Sequence, residues 1–325
     1  MNKTIETAPK KVIDFIGKRK IFFGISIAIM ALGIICNLIF GTQLDIQFTG
    51  GAIVKYSYTG AIDEEQLKDV LQKATDQEIS FSISKNMIAG EENTGDKYIV
   101  SLQFTGTDSI DFNQQKAITE ALETTFPDNG FEYSESSSVE STMGGKFFLK
   151  CLVAVAIACV LMVLYVTFRF RKINGFAAGI MALVALFHDV LVIYFLYVIL
   201  RMPIDGNFIA VVLMILGYSL NNTIVAYDRI RENRKILGGR TDLATLTNTS
   251  LTQVLKRSIL TTVTTVMAVG CVYAVGIIFN LDSIVKFALP TIVGLISGCY
   301  SSLAIAPSLW VVWENHKKSK GKKTA

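Results

Sequence analysis

Six apolar runs, each long enough to cross a bilayer, decide what this chain can fold into. They lie at about 21–40, 147–168, 173–200, 208–227, 258–279 and 284–313, and a membrane helix needs roughly 20 such residues. A mean hydropathy of +0.46 and 51% apolar residues over 325 positions place the chain in the membrane class. The first run is too long for the apolar part of a cleaved signal peptide, and it lacks a small-residue cleavage site.

Lys and Arg set the expected orientation. They crowd before the first span (Lys10, Lys11, Lys18, Arg19, Lys20), after the second (Arg169, Arg171, Lys172) and after the fourth (Arg229, Arg231, Arg234, Lys235, Arg240). The tail adds Lys317, Lys318, Lys320, Lys322 and Lys323, whereas the opposite loops offer only Arg201 and Lys286. Both termini are therefore expected in the cytoplasm. That division gives a cytoplasmic lead-in at 1–20, a first helix at 21–40, an outer domain at 41–145, five further helices within 146–313 and a basic cytoplasmic tail at 314–325. Residues 41–145 hold 18 of the 27 acids and 6 of the 31 bases. An acidic outer part over a basic inner surface suits anionic inner lipids and does not call for nucleic acid. All five cysteines fall inside apolar spans, which suits small buried side chains better than a metal site.

Residues 41–145 form the one sizeable water-soluble piece. Gln47–Tyr58 reads as a strand interrupted at Gly50 and Gly51, a bend or bulge. Asp63–Ala74 has helical spacing at Leu67, Val70 and Leu71. Glu78–Ser84 and Lys97–Thr105 alternate as strands, Ser109–Phe126 reads as a helix stopped by Pro127, and Phe131–Val139 is a last strand. The order βαββαβ is that of a ferredoxin-like α+β domain.

Three stretches carry polar groups at membrane depth, where each unpaired group costs several kcal/mol. The fourth span enters as NFIAVVLMIL, passes through Gly217, Tyr218, Ser219, Asn221, Asn222 and Thr223, and leaves through Asp228 and Arg229. The third places His188 and Asp189 near its middle, and a charged Asp there costs about 2.5–3.5 kcal/mol on insertion scales. Proton handling and a static interhelical bond both fit that pair. The fifth aligns Arg257, Thr261 and Thr265 on one face, either a polar path or self-bonded packing. After the fourth span, Gly238-Gly239 and a weakly amphipathic Thr241–Lys256 suggest an interfacial helix. Gly294, Gly298 and Ser302 allow close helix approach. Phosphate-binding loop, zinc constellation and nucleophile elbow are all absent from the sequence, so a catalytic triad, a metal or a cofactor has no support, and neither does enzymatic activity.

Several of these stretches resemble motifs of the SecD/SecF family of protein-export membrane proteins, in the RND superfamily. Leu44–Gly51 is similar to the family's G-[IL]-D-F-x-G-G entry to the outer domain. Phe187–Val190 matches its HDV motif. Ile215–Asn233 matches the signature GYS-[IL]-N-D-T-[IV]-V-x-[FY]-D-R-I-R-E-N, and Arg257-Ser258 and Tyr300-Ser301-Ser302 fit the fifth and sixth helices. The resemblance covers nearly the whole chain and is closest to the smaller, SecF-type members. It implies six transmembrane helices, half of an RND-type bundle, with one extracytoplasmic ferredoxin-like domain between helices 1 and 2. It also implies a SecD-like partner, the SecYEG channel, YidC-type and YajC-type accessory proteins, and a translocating polypeptide as client. The implied activity is late, ion-gradient-driven export across the bacterial cytoplasmic membrane, by protons or sodium.

Two departures bear on mechanism. The family's Asp in N-D-T is Asn222 here, and an amide cannot release a proton. Ion coupling then falls to His188, Asp189 or a partner carboxylate, with Asn221, Asn222 and Arg257 as further candidates; the carbonyl of Asn222 could instead hold sodium. Gln47 stands where the family has Asp before Phe. A stand-alone RND-like exporter of lipids or small molecules, and a structural scaffold, are the alternatives from other classes.

Overall fold

The computed structural model describes residues 12–60, 62–75, 79–86, 97–105, 112–139, 141–237, 241–279 and 281–323. Lys10, Lys11, Ser109, Glu78, Gly238, Gly239 and Arg240 lie outside the described residues.

Helix α1, Arg19–Phe40, ends where Gly41 adopts a φ of 69°. A one-turn helix α2, Ile46–Thr49, follows, then strand β1, Gly51–Thr59. Helix α3 is Glu64–Thr75, β2 is Ile79–Asn86, β3 is Lys97–Thr105, α4 is Phe112–Thr125 and β4 is Glu132–Val139. The four strands are antiparallel in the order β2-β3-β1-β4, with Val54 opposite Leu102 and Tyr56 opposite Val100. Connection βαββαβ with this order is the ferredoxin-like arrangement. Period-2 alternation makes one face apolar. Ala52, Val54, Tyr56, Tyr58, Val100 and Leu102 turn inward under Leu67, Leu71, Ile118 and Leu122 of the two helices. The opposite face is left to polar pairs such as Lys55–Glu135 at 2.8 Å.

The expected strand over Gln47–Tyr58 is a helical turn in its first part. Asp45 caps that turn, its carboxylate accepting from the Gln47 N–H at 2.9 Å, as short acids do at helix starts. Gly50, at φ 75°, closes it. Gly51, at φ 141°, opens β1, and a Cβ there would lie 2.1 Å from the Phe104 carbonyl oxygen. The two glycines form a hinge from turn to strand, not a bend within one strand. Phe48 of the turn stacks on Phe147, meets the tilted ring of Phe148 and packs with Tyr197, Ile204 and Ile209. Backbone bonds Asp45 N–H to Ile204 O (3.0 Å) and Ile204 N–H to Gln43 O (2.8 Å) fasten the base of the domain to the bundle. Gln47 takes part as well, accepting from the Gly206 N–H at 3.2 Å.

The remaining helices are α5 (Ser141–Arg169), α6 (Gly175–Ile199), α7 (Gly206–Leu237), α8 (Leu243–Ile278), α9 (Asp282–Tyr300) and α10 (Ala306–Lys323), with a π-turn at Ser301–Ile305 joining the last two. Among the described residues six segments are long and apolar enough to cross a membrane, α9 and α10 together making the sixth. Helices α6, α7 and α9 form the middle of the bundle, whereas α1, α5 and α8 expose most of their apolar surface, as lipid-facing helices do. Glycine lets α9 come close to α7: a Cβ on Gly294 would lie 2.7 Å from Ile215, and one on Gly298 3.0 Å from Ser219.

Thr241–Lys256, expected to lie apart in the interface, is instead the opening of α8. Asp242 caps the helix by accepting from the Ala244 and Thr245 N–H groups, and no break separates it from the fifth span. Its apolar side is buried against protein: Leu243, Leu246, Leu251 and Val254 are covered. Part of that cover is the segment before α1, whose Phe15 and Ile16 N–H groups both donate to the Asn248 side-chain oxygen at 3.0 Å.

Candidate functional site

Asp189 sits in the middle of α6, about 21 Å along the axis from Gly175 and about 15 Å from Ile199 at 1.5 Å per residue. It is fully buried. One carboxylate oxygen accepts from the Ser219 hydroxyl at 2.7 Å and the Ser301 hydroxyl at 2.6 Å. The other accepts from Ser297 at 2.7 Å and faces His188 Nδ1 at 3.2 Å. These hydroxyl distances fall within the range of about 2.5–2.7 Å expected for O–H donors on a carboxylate. Three helices thus converge on one carboxyl, α7 through Ser219 and α9 with the π-turn through Ser297 and Ser301.

A second tier of hydroxyls backs the first. Ser302 donates to the Ser219 carbonyl at 2.9 Å, and the Thr223 hydroxyl lies 3.0 Å from Ser302 Oγ. The π-turn lets consecutive residues serve two helices, Ser301 reaching Asp189 of α6 and Ser302 reaching Ser219 and Thr223 of α7, an irregularity of the kind common at functional sites. No Lys or Arg side chain is paired with Asp189 among the described residues. His188 is the one basic group beside it. Its Nε2 is buried without a hydrogen-bond partner, and the ring borders a cleft of about 230 Å³ with Ile25, Ile29, Val192, Ile296 and Tyr300. An ionised carboxyl at this depth lacks the counter-charge that burial demands.

The other sequence candidates are spread over three places. Asn222 is buried next to Thr223, but its amide nitrogen finds no acceptor. Asn221, Arg257 and Thr261 are exposed on the outer side of α7 and α8, and Thr265 is partly so. Thr261, Thr264 and Thr265 bond their own backbones, whereas Thr262 turns inward and accepts from the Tyr218 hydroxyl at 2.9 Å. A Cβ on Gly217 would meet nothing. Asp228 pairs with Arg169 at 2.9 Å and Arg231 at 2.7 Å, and Arg229 reaches Gln253 and Glu232, so both belong to a charged clasp at the end of the bundle that carries the termini. Gly50 and Gly51 are the domain hinge. Ser297, Ser301 and Ser302 were not expected as site residues. Their signal was the i, i+4 spacing of Ser297 and Ser301, which puts both hydroxyls on one side of a helix.

At the base of the sheet domain, burial pushes the Asp45 carboxyl above its ordinary value. The Gln47 N–H draws it back down, nearby Asp205 raises it and Lys286 lowers it. Among the described residues no three His, Cys, Asp or Glu side chains gather as metal ligands.

Residues 117–316 match the family model described as protein export membrane protein SecD/SecF, C-terminal. This chain belongs to the SecD/SecF family. Within the family, the protein translocase subunit SecF of Petrotoga mobilis is 31% identical over 307 residues, covering 94% of this chain and 97% of that protein. SecDF of Bacillus subtilis is 34% identical over 309 residues, 94% of this chain and 39% of its own length. A crystal structure of SecDF from Thermus, described as a translocon-associated membrane protein, superposes with a TM-score of 0.75 at 26% identity, over 94% of this chain and 39% of that one. The chain therefore spans about two fifths of these SecDF proteins and nearly all of a separate SecF. It is a multi-pass membrane protein whose relatives are Sec translocase subunits.

Proposed function

We propose that this chain is a SecF-like subunit of the Sec translocase that pairs with a SecD-like subunit and lends ion-gradient energy to late steps of polypeptide export through a SecYEG channel. The observation that carries the proposal is Asp189, a fully buried carboxyl held by three hydroxyls and one imidazole with no Lys or Arg beside it. A proton that comes and goes there changes a charge at the meeting point of α6, α7 and α9. The serines then either donate to the carboxylate or turn one hydroxyl to accept from the acid. Titration thus remakes the contact between helices, and that is how ion movement becomes helix movement.

Pairing is supported by the outer side of α7 and α8. Asn221 and Arg257 are exposed there, and hydrocarbon offers an amide no partner. Tyr218 meets Thr262 and Arg229 meets Gln253, so this antiparallel register sets Asn221 and Arg257 at similar depth. A SecD-like subunit on that side would satisfy both. YidC-type and YajC-type proteins would lie beyond it. The concentration of Lys and Arg at the end carrying the termini supports placing that end in the bacterial cytoplasm.

The test is export of a secretory protein into sealed membrane vesicles under an imposed proton or sodium gradient, with Asp189→Asn and Asp189→Glu variants. Loss of the gradient-dependent part in Asp189→Asn, with recovery in Asp189→Glu, is the expected result. Gradient-stimulated export that persists unchanged in Asp189→Asn would remove this carboxyl from the coupling path. The gradient that works names the ion, and a sodium requirement would bring the Asn222 carbonyl into the site.

A further inference from the structure

We propose that a groove between the first turns of α6 and the last turns of α10 binds an anionic phospholipid, its phosphate at His316 and Lys317 and an acyl chain along Trp313, Phe176 and Ile180. The groove measures about 610 Å³ and is also lined by Ala177 and Met181, within the size range of small-molecule sites. It is unrelated to the Asp189 site and does not depend on the export reading.

Polarity is distributed along the groove as it is along a lipid. The walls are aliphatic or aromatic. Its polar groups sit at one end: Asn174, where the chain enters α6, and His316 and Lys317, where α10 leaves the bundle. Phe176 and Trp313 keep 64% and 53% of their surface exposed, which is sustainable for large apolar rings at a bilayer boundary. Tryptophan at that level is an interfacial anchor.

Charge selects among lipids. The single acid of α10, Glu314, is engaged by the Asn174 side-chain amide at 2.5 Å, which leaves Lys317 facing the mouth. The same end of the bundle carries Arg169, Arg171, Arg231, Arg234 and Lys235. Basic pockets between membrane helices are the places where acidic headgroups bind. A partner helix would fill an apolar groove too, but would gain nothing from the Lys317 cation at its rim.

Tryptophan fluorescence tests the proposal, because the chain has two tryptophans. Trp310 is fully buried and Trp313 lines the groove. The whole chain is reconstituted into phosphatidylcholine vesicles in which either phosphatidylcholine or phosphatidylglycerol carries brominated chains. Trp310→Phe leaves Trp313 as the sole reporter. The unsubstituted protein and Trp313→Phe are measured beside it, so that a folding defect in one variant does not decide the result. Brominated phosphatidylglycerol should quench Trp313 with an apparent affinity about fivefold above that of brominated phosphatidylcholine, the effect of roughly one surface cation. The preference should vanish in His316→Ala/Lys317→Ala, weaken with salt and survive Lys256→Ala at the same end of the bundle. Equal quenching by the two lipids would make the groove ordinary lipid-facing surface and overturn the proposal. A preference that survives His316→Ala/Lys317→Ala would overturn it as well. Absence of quenching by either lipid would mean that protein covers the groove, with the same consequence.

Discussion

Two sets of polar side chains lie at membrane depth, and they are resolved in opposite ways. The hydroxyls around Asp189 are buried and point at its one carboxyl from α7, α9 and the π-turn. Asn221, Arg257 and Thr261 point away from the bundle. The first set is satisfied inside one chain and is paid for by α7 and α9 approaching closely at Gly294 and Gly298. The second set is satisfied only in part, since the threonines recover their own carbonyls and the Asn and Arg do not. A polar residue in a membrane helix therefore has two quite different meanings. Turned inward it builds a site; turned outward it calls for a neighbour.

Replacing Asp189 separates these meanings most sharply. Asp189→Leu should remove the acceptor shared by the Ser219, Ser297 and Ser301 hydroxyls, stranding Ser297 at about 1–3 kcal/mol while Ser219 keeps Ser302 and Ser301 keeps the Gly298 carbonyl, and lower the unfolding midpoint in detergent more than any single change on the outer side. A fully stable Asp189→Leu would mean that the cluster is incidental. Next in size comes Ser297→Ala/Ser301→Ala. Hydrogen bonds are worth about 0.5–1.5 kcal/mol each, and the loss should be read by denaturant titration of the purified chain. If the double variant matches the parent, Ser219 alone suffices to hold the carboxyl.

Tyr218→Phe tests the seam between the two sets. It removes the one side-chain bond to Thr262 and should cost about 1 kcal/mol, without changing the gradient dependence of export. Asn221→Leu should leave the isolated chain within about 0.5 kcal/mol of the parent while reducing recovery of a co-expressed SecD-like partner in pull-down. Recovery at the parental level would place the partner elsewhere.

The smallest effect expected is at the base of the sheet domain. Burial raises the Asp45 carboxyl above its ordinary value of 3.8, so the folded state holds the proton more tightly than the unfolded one. That contribution is complete below the ordinary value and is lost as pH rises through the folded value. Thermal melts should show a midpoint contribution that declines as pH rises above 3.8. Asp45→Asn, which keeps a capping oxygen, should flatten the decline.

Much of this could be read from residue order. The six apolar runs and the βαββαβ pattern follow from length and periodicity alone, because hydrocarbon and a two-faced sheet each admit few solutions. Asp189 was conspicuous through its cost. Its partners were not, because a serine in an apolar helix looks the same whether it packs or binds, and only the meeting of α6 with α9 distinguishes Ser297 from Ser283. The turn at Ile46–Thr49 was hidden because capping by Asp45 outweighs the local alternation of Gln47 and Phe48. Thr241–Lys256 misled for the reverse reason: an amphipathic stripe reports that something apolar covers it, and here the cover is Phe15 and Ile16, not lipid.

The continuity of α8 has a mechanical side. A rod of 36 residues is about 54 Å long, with about 28 Å from Leu243 to Thr262 and about 24 Å from there to Ile278. The bond from Tyr218 to Thr262 lies near its midpoint. One rod therefore joins the place where residues 13–16 hold Asn248 and Thr252 to the far end of the bundle at Ile278, with no loop along the way.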